Sequence, residues 1–201
     1  MQRRSLLLFV VASLALGFPS SARRKRPSRK PKPSPAKEGP KVDRWSKDGA
    51  STVTFVAVGP GGMKMEGKTS ELEVKDVGED LTVVVPLGQL STGIGLRDKH
   101  MKEEYLETQK YPTAELKVSR ANFKTPSSGA AAQSEIKGVL RLHGREKPLV
   151  VNYQAKPVQG GYEIAGSFQV NIADYGIAVP VYLGVTVKPE VEIAASFKVK
   201  K

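Results

Sequence analysis

The chain has 201 residues, enough for one domain with a real core, and a net charge of +12. It has no cysteine, which excludes disulfides, thiolate metal sites, cysteine nucleophiles and a lipidated cysteine anchor. It holds no run of about 20 apolar residues, so no membrane-spanning helix is expected in the mature protein.

The charge is unevenly spread. Residues 1–41 hold eleven of the 32 Lys and Arg and one of the 20 Asp and Glu. The rest of the chain therefore carries 21 basic and 19 acidic residues, an excess of two. A nucleic-acid-binding domain needs a basic face on the fold itself, so no nucleic-acid partner is expected.

Met1–Arg4 is a short basic start, and Ser5–Phe18 is an apolar run of signal-peptide length. Pro19-Ser20-Ser21-Ala22 supplies small residues for cleavage after Ala22. Residues 1–22 are thus expected to be a signal peptide. Arg23–Arg26 follow at once, and positive charge there opposes translocation. Export to the periplasm or beyond is still the expected route, by the general or the twin-arginine pathway. Residues 23–41, RRKRPSRKPKPSPAKEGPK, combine proline with like charge and predict an extended, solvated linker. Such a segment is also suited to electrostatic contact with an anionic envelope surface. Residues 42–201 form the expected folded domain.

From Trp45 onward apolar residues alternate with period two, the mark of half-buried strands. Strands are predicted over 51–58, 63–77, 81–90, 113–123, 133–143, 147–156, 162–172 and 189–200. The turn signals between them include Pro60-Gly61-Gly62, Gly78-Glu79-Asp80, Gly144-Arg145-Glu146 and Gln159-Gly160-Gly161. Residues 125–132 read as a loose loop, and 173–188 as a long connection. One short helix is predicted, roughly Arg97–Thr108, with Met101 and Tyr105 on its inner face. Eight sequential antiparallel strands close into a barrel or stack as a sandwich. Ala57, Gly67, Gly138, Ala165 and Ala195 are small at candidate inward positions, which suits a barrel with room for a ligand.

Leu90–Pro112 stands apart from this pattern. It runs from a strand end through Gly93-Ile94-Gly95 to the charged Arg97-Asp98-Lys99-His100, and closes at Tyr111-Pro112. Thr92-Gly93, Arg97-Asp98, His100-Met101 and Lys110-Tyr111-Pro112 resemble the T-G-x-x-x-R-D-x-H-[LM] to K-Y-P signature of the YceI-like family. Gly138–Gly144 with Lys147-Pro148 is similar to the family's G-x-L-x-[IL]-H-G-x-x-K-P. Asp174-Tyr175-Gly176-Ile177 resembles its D-[FY]-G-I, and 180–187 continue it. The three motifs occur in family order over about residues 44–201. The basic Pro-rich linker and Gly61-Gly62-Met63-Lys64 depart from the pattern.

The resemblance implies an all-β fold: an eight-stranded antiparallel lipocalin-like barrel with one short helix near one end. It implies a bacterial periplasmic or secreted protein that binds a long-chain amphiphile, typically a polyisoprenoid lipid, and it permits a homodimer. Strand parity gives Val53, Phe55, Leu81, Val83, Val85, Leu140, Phe168 and Phe197 as the lining of such a site. Arg97, Asp98, Lys99, His100 and Lys102 are candidates either for a lipid head group or for a latch between helix and barrel, since an anion prefers charge-assisted donors. Asp98 and His100 also suggest half of an acid–base pair. No Ser, Cys or metal cluster accompanies them, and two histidines alone rarely make a zinc site. No catalytic residue, metal or cofactor is therefore expected. Two other readings remain: a structural or stress-related envelope protein with a filled barrel and a tethering tail, and, more remotely, a hydrolase using Asp98 and His100.

Overall fold

The computed structural model describes residues 44–126, 130–182 and 185–201. The expected signal peptide and linker, 1–41, lie outside the described residues. The strands are β1 (Ser46–Val58), β2 (Lys64–Thr69), β3 (Glu73–Val77), β4 (Asp80–Pro86), β5 (Thr113–Ser119), β6 (Ala132–Leu142), β7 (Arg145–Val158), β8 (Gly161–Asn171), β9 (Val181–Tyr182), β10 (Val185–Thr186) and β11 (Glu190–Lys200). Nine of them form one sheet in the order β2-β1-β11-β8-β7-β6-β5-β4-β3. Every pairing in it is antiparallel.

The expected eight strands become nine because one of them, 63–77, is split. Its first half, β2, pairs with β1 at one edge of the sheet. Its second half, β3, pairs with β4 at the other edge. Ser70, Glu71 and Leu72 join the halves, so the chain itself carries the curled sheet across its seam. The corner is held locally. Thr69 Oγ1 accepts from the Glu71 N–H at 3.0 Å, and the Ser51 hydroxyl donates to the Ser70 carbonyl at 2.6 Å. Lys68 and Ser91 exchange two backbone hydrogen bonds, at 2.8 and 2.9 Å, across the same seam. The long connection expected over 173–188 holds the short β9–β10 ribbon.

Strand direction gives the barrel two ends. At one end are the turn Pro60–Gly62, the excursion between β4 and β5, the turn His143-Gly144 and the β8–β11 connection. At the other are Trp45 and the turns β3–β4, β5–β6 and β7–β8. The excursion is an α-helix, α1 (Gly95–His100), that widens into a π turn over Met101–Tyr105. It stops short of Thr108 because Glu107 takes a left-handed backbone (φ 44°). The π turn carries the Leu106 N–H to the Met101 carbonyl at 2.9 Å. A wider turn brings Tyr105 and Leu106 toward the interior beside Met101.

The period-two pattern sorts the walls. Val53, Phe55 and Ala57 of β1 face in, as do Ile164, Phe168 and Val170 of β8 and Val191, Ile193, Ala195, Phe197 and Val199 of β11. Gly67 lies opposite Phe55 in the ladder. A Cβ on Gly67 would stand 2.3 Å from the Phe55 ring, so glycine is what lets that ring lie across β2. Ala165 is an exception to the expected inward set. It is exposed on the outer wall, because β8 places its neighbours Ile164 and Gly166 inward.

Candidate ligand-binding site

The barrel is hollow. Phe55, Val83, Val85, Leu116, Phe168 and Ile193 point inward yet keep accessible surface, because they face empty space rather than one another. The space is about 870 Å³, toward the upper end of pockets that hold small molecules, about 300–1,000 Å³. Its walls are overwhelmingly apolar. Val53, Phe55, Leu81, Val83, Val85, Leu140, Phe168 and Phe197 all border it. An 11-residue strand such as β11, at about 3.3 Å per residue and a tilt of about 40°, gives an axial depth of about 28 Å. The wall around the space is therefore deep enough for an extended chain.

One end is shut by aromatic rings. Trp45 is buried, stacks on Tyr162 with centroids 5.2 Å apart and meets Phe123 edge-on at 5.6 Å. Phe123 in turn stacks on Tyr153 at 5.0 Å. Below this plug lies a buried ion pair. Asp76 accepts from the Arg120 guanidinium and, at 2.7 Å, from the Trp45 N–H. Arg120 also donates to the Gly78 carbonyl at 3.0 Å. The start of the domain is thus fastened to both flanking turns.

The other end opens to solvent between α1, the Pro60–Gly62 turn and the β9 segment. Ile94 and Leu96 border the cavity although they are 49% and 66% exposed. No described residue lining the cavity is acidic. Its charged lining residues are Arg97 and Lys188, with the titratable His100 beside them. Neither Arg97 nor Lys188 forms an ion pair among the described residues.

The five candidate residues of the helical excursion, Arg97, Asp98, Lys99, His100 and Lys102, take separate positions. Asp98 binds the preceding loop. It accepts from the Thr92 N–H and the Thr92 hydroxyl, each at 2.6 Å, and from the Ser91 hydroxyl at 2.7 Å. Burial pushes its carboxyl up, but these donors and the nearby Lys102 ammonium hold it below the ordinary carboxylate value. Arg97 and His100 border the cavity, and His100 Nε2 stands 3.9 Å from Glu104 Oε1. Lys99 and Lys102 do not border the cavity; Lys99 is exposed and Lys102 half-buried. The acid–base pair is not assembled, since Asp98 is turned to Ser91 and Thr92 and not to His100.

His143, in the second of the three motifs, joins segments that the sequence does not bring together. His143 and Gly144 both have positive φ, 50° and 74°. Such a pair suits a tight hairpin, and histidine tolerates the left-handed region better than most residues. Its Nδ1 lies 3.3 Å from the Tyr175 carbonyl oxygen. Its Nε2 lies 2.8 Å from Glu107 Oε2, an ion-pair distance without good hydrogen-bond alignment. Tyr111 packs on the ring, with centroids 4.3 Å apart. Arg145 donates to the Asp174 carbonyl at 3.3 Å, and a Cβ on Gly176 would meet its guanidinium at 2.8 Å. The three sequence motifs therefore meet at one corner of the open end, where they tie the helical excursion, the β6–β7 turn and the β8–β11 connection together.

The mouth residues Lys188, Ile94, Leu96, Met63 and Val181 were also not foreseen. They come from connections distant in sequence, and only the barrel's closure brings them around one opening.

Among curated proteins, the chain is similar to UPF0312 proteins of Vibrio cholerae serotype O1, with 29% identity over 123 residues, 58% of this chain. The chain spans 62% of the length of those relatives. Among solved structures, it is similar to a polyisoprenoid binding domain from Saccharophagus degradans implicated in plant cell wall breakdown. That likeness has a TM-score of 0.66 at 17% identity, over 79% of this chain and 99% of the other. BcnA of Burkholderia cenocepacia gives a TM-score of 0.59 at 15% identity, over 75% of this chain and 96% of its own. These likenesses establish a shared barrel. The family model described as the YceI-like domain matches residues 45–199, from the aromatic plug through the last strand, and the chain belongs to that family.

Proposed function

We propose that the protein binds the long apolar chain of an amphiphile, a polyisoprenoid or similar lipid, inside the barrel and carries or sequesters it. The observation that carries this reading is the cavity: about 870 Å³, apolar in its walls and with no acidic residue among its described lining residues. A barrel filled by its own side chains would not leave that space. Each Å² of apolar surface removed from water contributes about 25 cal/mol, so the chain supplies most of the affinity. Arg97 and Lys188, with His100, are placed for an anionic head group at the mouth. They fix which end enters first more than they set strength. The polyisoprenoid binding described for the Saccharophagus degradans domain supports the choice of lipid class. Binding of this kind involves no bond-making step, and the protein acts as a non-enzymatic carrier.

The same reading places the protein in the bacterial envelope, exported by residues 1–22, with residues 23–41 in electrostatic contact with an anionic surface there. Deleting 23–41 is expected to weaken salt-dependent association with membrane or cell-wall material; unchanged association would refute the tether.

Native mass spectrometry of the purified protein, followed by lipid extraction, tests the carrier reading. A co-purifying long-chain amphiphile is expected, or saturable uptake of added isoprenoid. Ala195 lies mid-wall, opposite Val53 and Gly166. Ala195→Trp places an indole in the cavity and should cut retention at least about tenfold while the barrel still folds. An empty protein that also refuses added isoprenoid would overturn the reading.

A further inference from the structure

We infer that the open end of the barrel is a docking surface for an anionic phospholipid membrane. Seven large apolar side chains stand exposed among the described residues, and four of them ring the mouth: Met63, Ile94, Leu96 and Val181. The other three lie at the far turn (Val77) or on the outer wall (Val139 and Val150). Single exposed apolar residues are ordinary, but a cluster contributed by three separate connections around one opening marks a contact surface.

Two of these connections are tied together, and each is closed on itself. The Lys188 N–H donates to the Val58 carbonyl at 2.9 Å, and the Val187 N–H to the Pro180 carbonyl at 2.9 Å. The Gly59 N–H donates to the Met63 carbonyl at 2.7 Å. Met63 and Val181 thus stand on segments closed by backbone hydrogen bonds.

Charge selects the occupant. Arg97 and Lys188 stand within the apolar ring, no carboxylate lines it, and neither cation is ion-paired among the described residues. The carboxylates of the helical excursion are turned elsewhere: Asp98 to Ser91 and Thr92, Glu104 toward His100, Glu107 to His143. Glu103 alone among them has no partner among the described residues. A second copy docked mouth to mouth would set Arg97 and Lys188 against their own equivalents. An anionic bilayer receives both features, the apolar tips below the head groups and the cations among the phosphates. The same contact would let a lipid chain pass between bilayer and barrel without crossing water.

The inference rests on the lipid-binding reading for why the mouth meets a membrane, yet its test needs no cargo. The chain has no cysteine, so Leu96→Cys and Val77→Cys each give one labelling site on the full chain. Each is labelled with the same environment-sensitive dye and mixed with phosphatidylcholine vesicles that contain phosphatidylglycerol and brominated acyl chains, with no isoprenoid. Bromine is expected to quench the dye at 96, at the mouth, and to leave the dye at 77, at the closed end, unquenched. Equal quenching at both sites, quenching at 77 alone, or none would overturn the inference. In parallel, I94D/L96D on the full chain should lower partition into the same vesicles about tenfold or more. Its circular dichroism and melting temperature should match the parent, which shows the barrel intact. Undiminished partition of that variant would also overturn the docking surface. Loss of cargo binding in the parent would strike the carrier reading and leave the vesicle result legible.

Discussion

The two ends of this barrel solve opposite problems with the same alternating strands. At the closed end, rings from β7, β8, the β5–β6 connection and the start of the domain converge, and Trp45, Tyr153 and Val199 are buried. A buried ion pair then locks the plug to the turns beside it. At the open end the apolar side chains point past the rim, and Leu96 is 66% exposed. Surface that could have been covered is left facing water. Polar interactions there tie connections to one another around the opening rather than across it. One end is thus built for stability and the other for access, and substitutions at each should fail in different ways.

The largest loss of stability is expected at the closed end. Asp76→Ala leaves the Arg120 guanidinium without its buried partner and frees the Trp45 N–H. A cost of about 3 kcal/mol follows, which lowers Tm by roughly 6–12 °C in a domain of this size. Thermal denaturation checks it, and a change within a degree or two would mean that the plug is not held by this pair. Next comes the wall. Gly67→Val puts a branched side chain into the Phe55 ring and should cost about 2 kcal/mol by overpacking. It should also reduce lipid uptake, since Phe55 borders the cavity.

Smaller effects belong to the mouth. Asp98→Ala removes the acceptor for the Thr92 and Ser91 donors, and about 1 kcal/mol is expected, visible as a Tm drop of a few degrees. It should change stability more than ligand preference; equal melting temperatures for mutant and parent would contradict the latch. The same carboxylate gives a pH dependence. Its folded-state value is depressed below the ordinary 3.8, so its contribution is complete above that value and disappears as pH falls through the lower one. The Tm gap between parent and Asp98→Ala should therefore be constant near neutrality and narrow in acid. A gap that widened in acid would reverse the sign and refute it. The smallest effect is Leu96→Ser, expected to stay within about 0.5 kcal/mol of the parent because the side chain is already largely in water. That near-silence in stability, set beside Asp76→Ala, is the sharpest form of the contrast between the ends.

The walls were legible because a strand's side chains alternate strictly. Once Phe55 or Val83 is assigned inward, its whole strand follows, and all eight residues assigned by parity border the cavity. Ala165 was misassigned because β8 reads ambiguously: small residues occur at both parities, and hydrophobicity does not say which face is inside. The split of 63–77 into β2 and β3 was hidden for a related reason. Thr69 and Glu71 form a local corner, but only the pairing of β2 with β1 and of β3 with β4, at opposite edges of the sheet, makes that corner the place where the barrel closes. Asp98 was singled out from the sequence and His143 lies in a quoted motif, yet their partners were not foreseen. Tyr175, Glu107 and Tyr111 reach His143 from two other connections.

By itself, then, the sequence determined what depends on neighbours along the chain: the strands, the turns, the inward face, the short helix and the family signature. Tertiary structure decided what depends on closure: which end is sealed, which end is open, and that Met63, Leu96, Val181 and Lys188 share one rim. The reason is geometric. Local periodicity fixes the direction of each side chain relative to its own strand, whereas the meeting of three connections around an opening depends on how the whole sheet curls and where it joins.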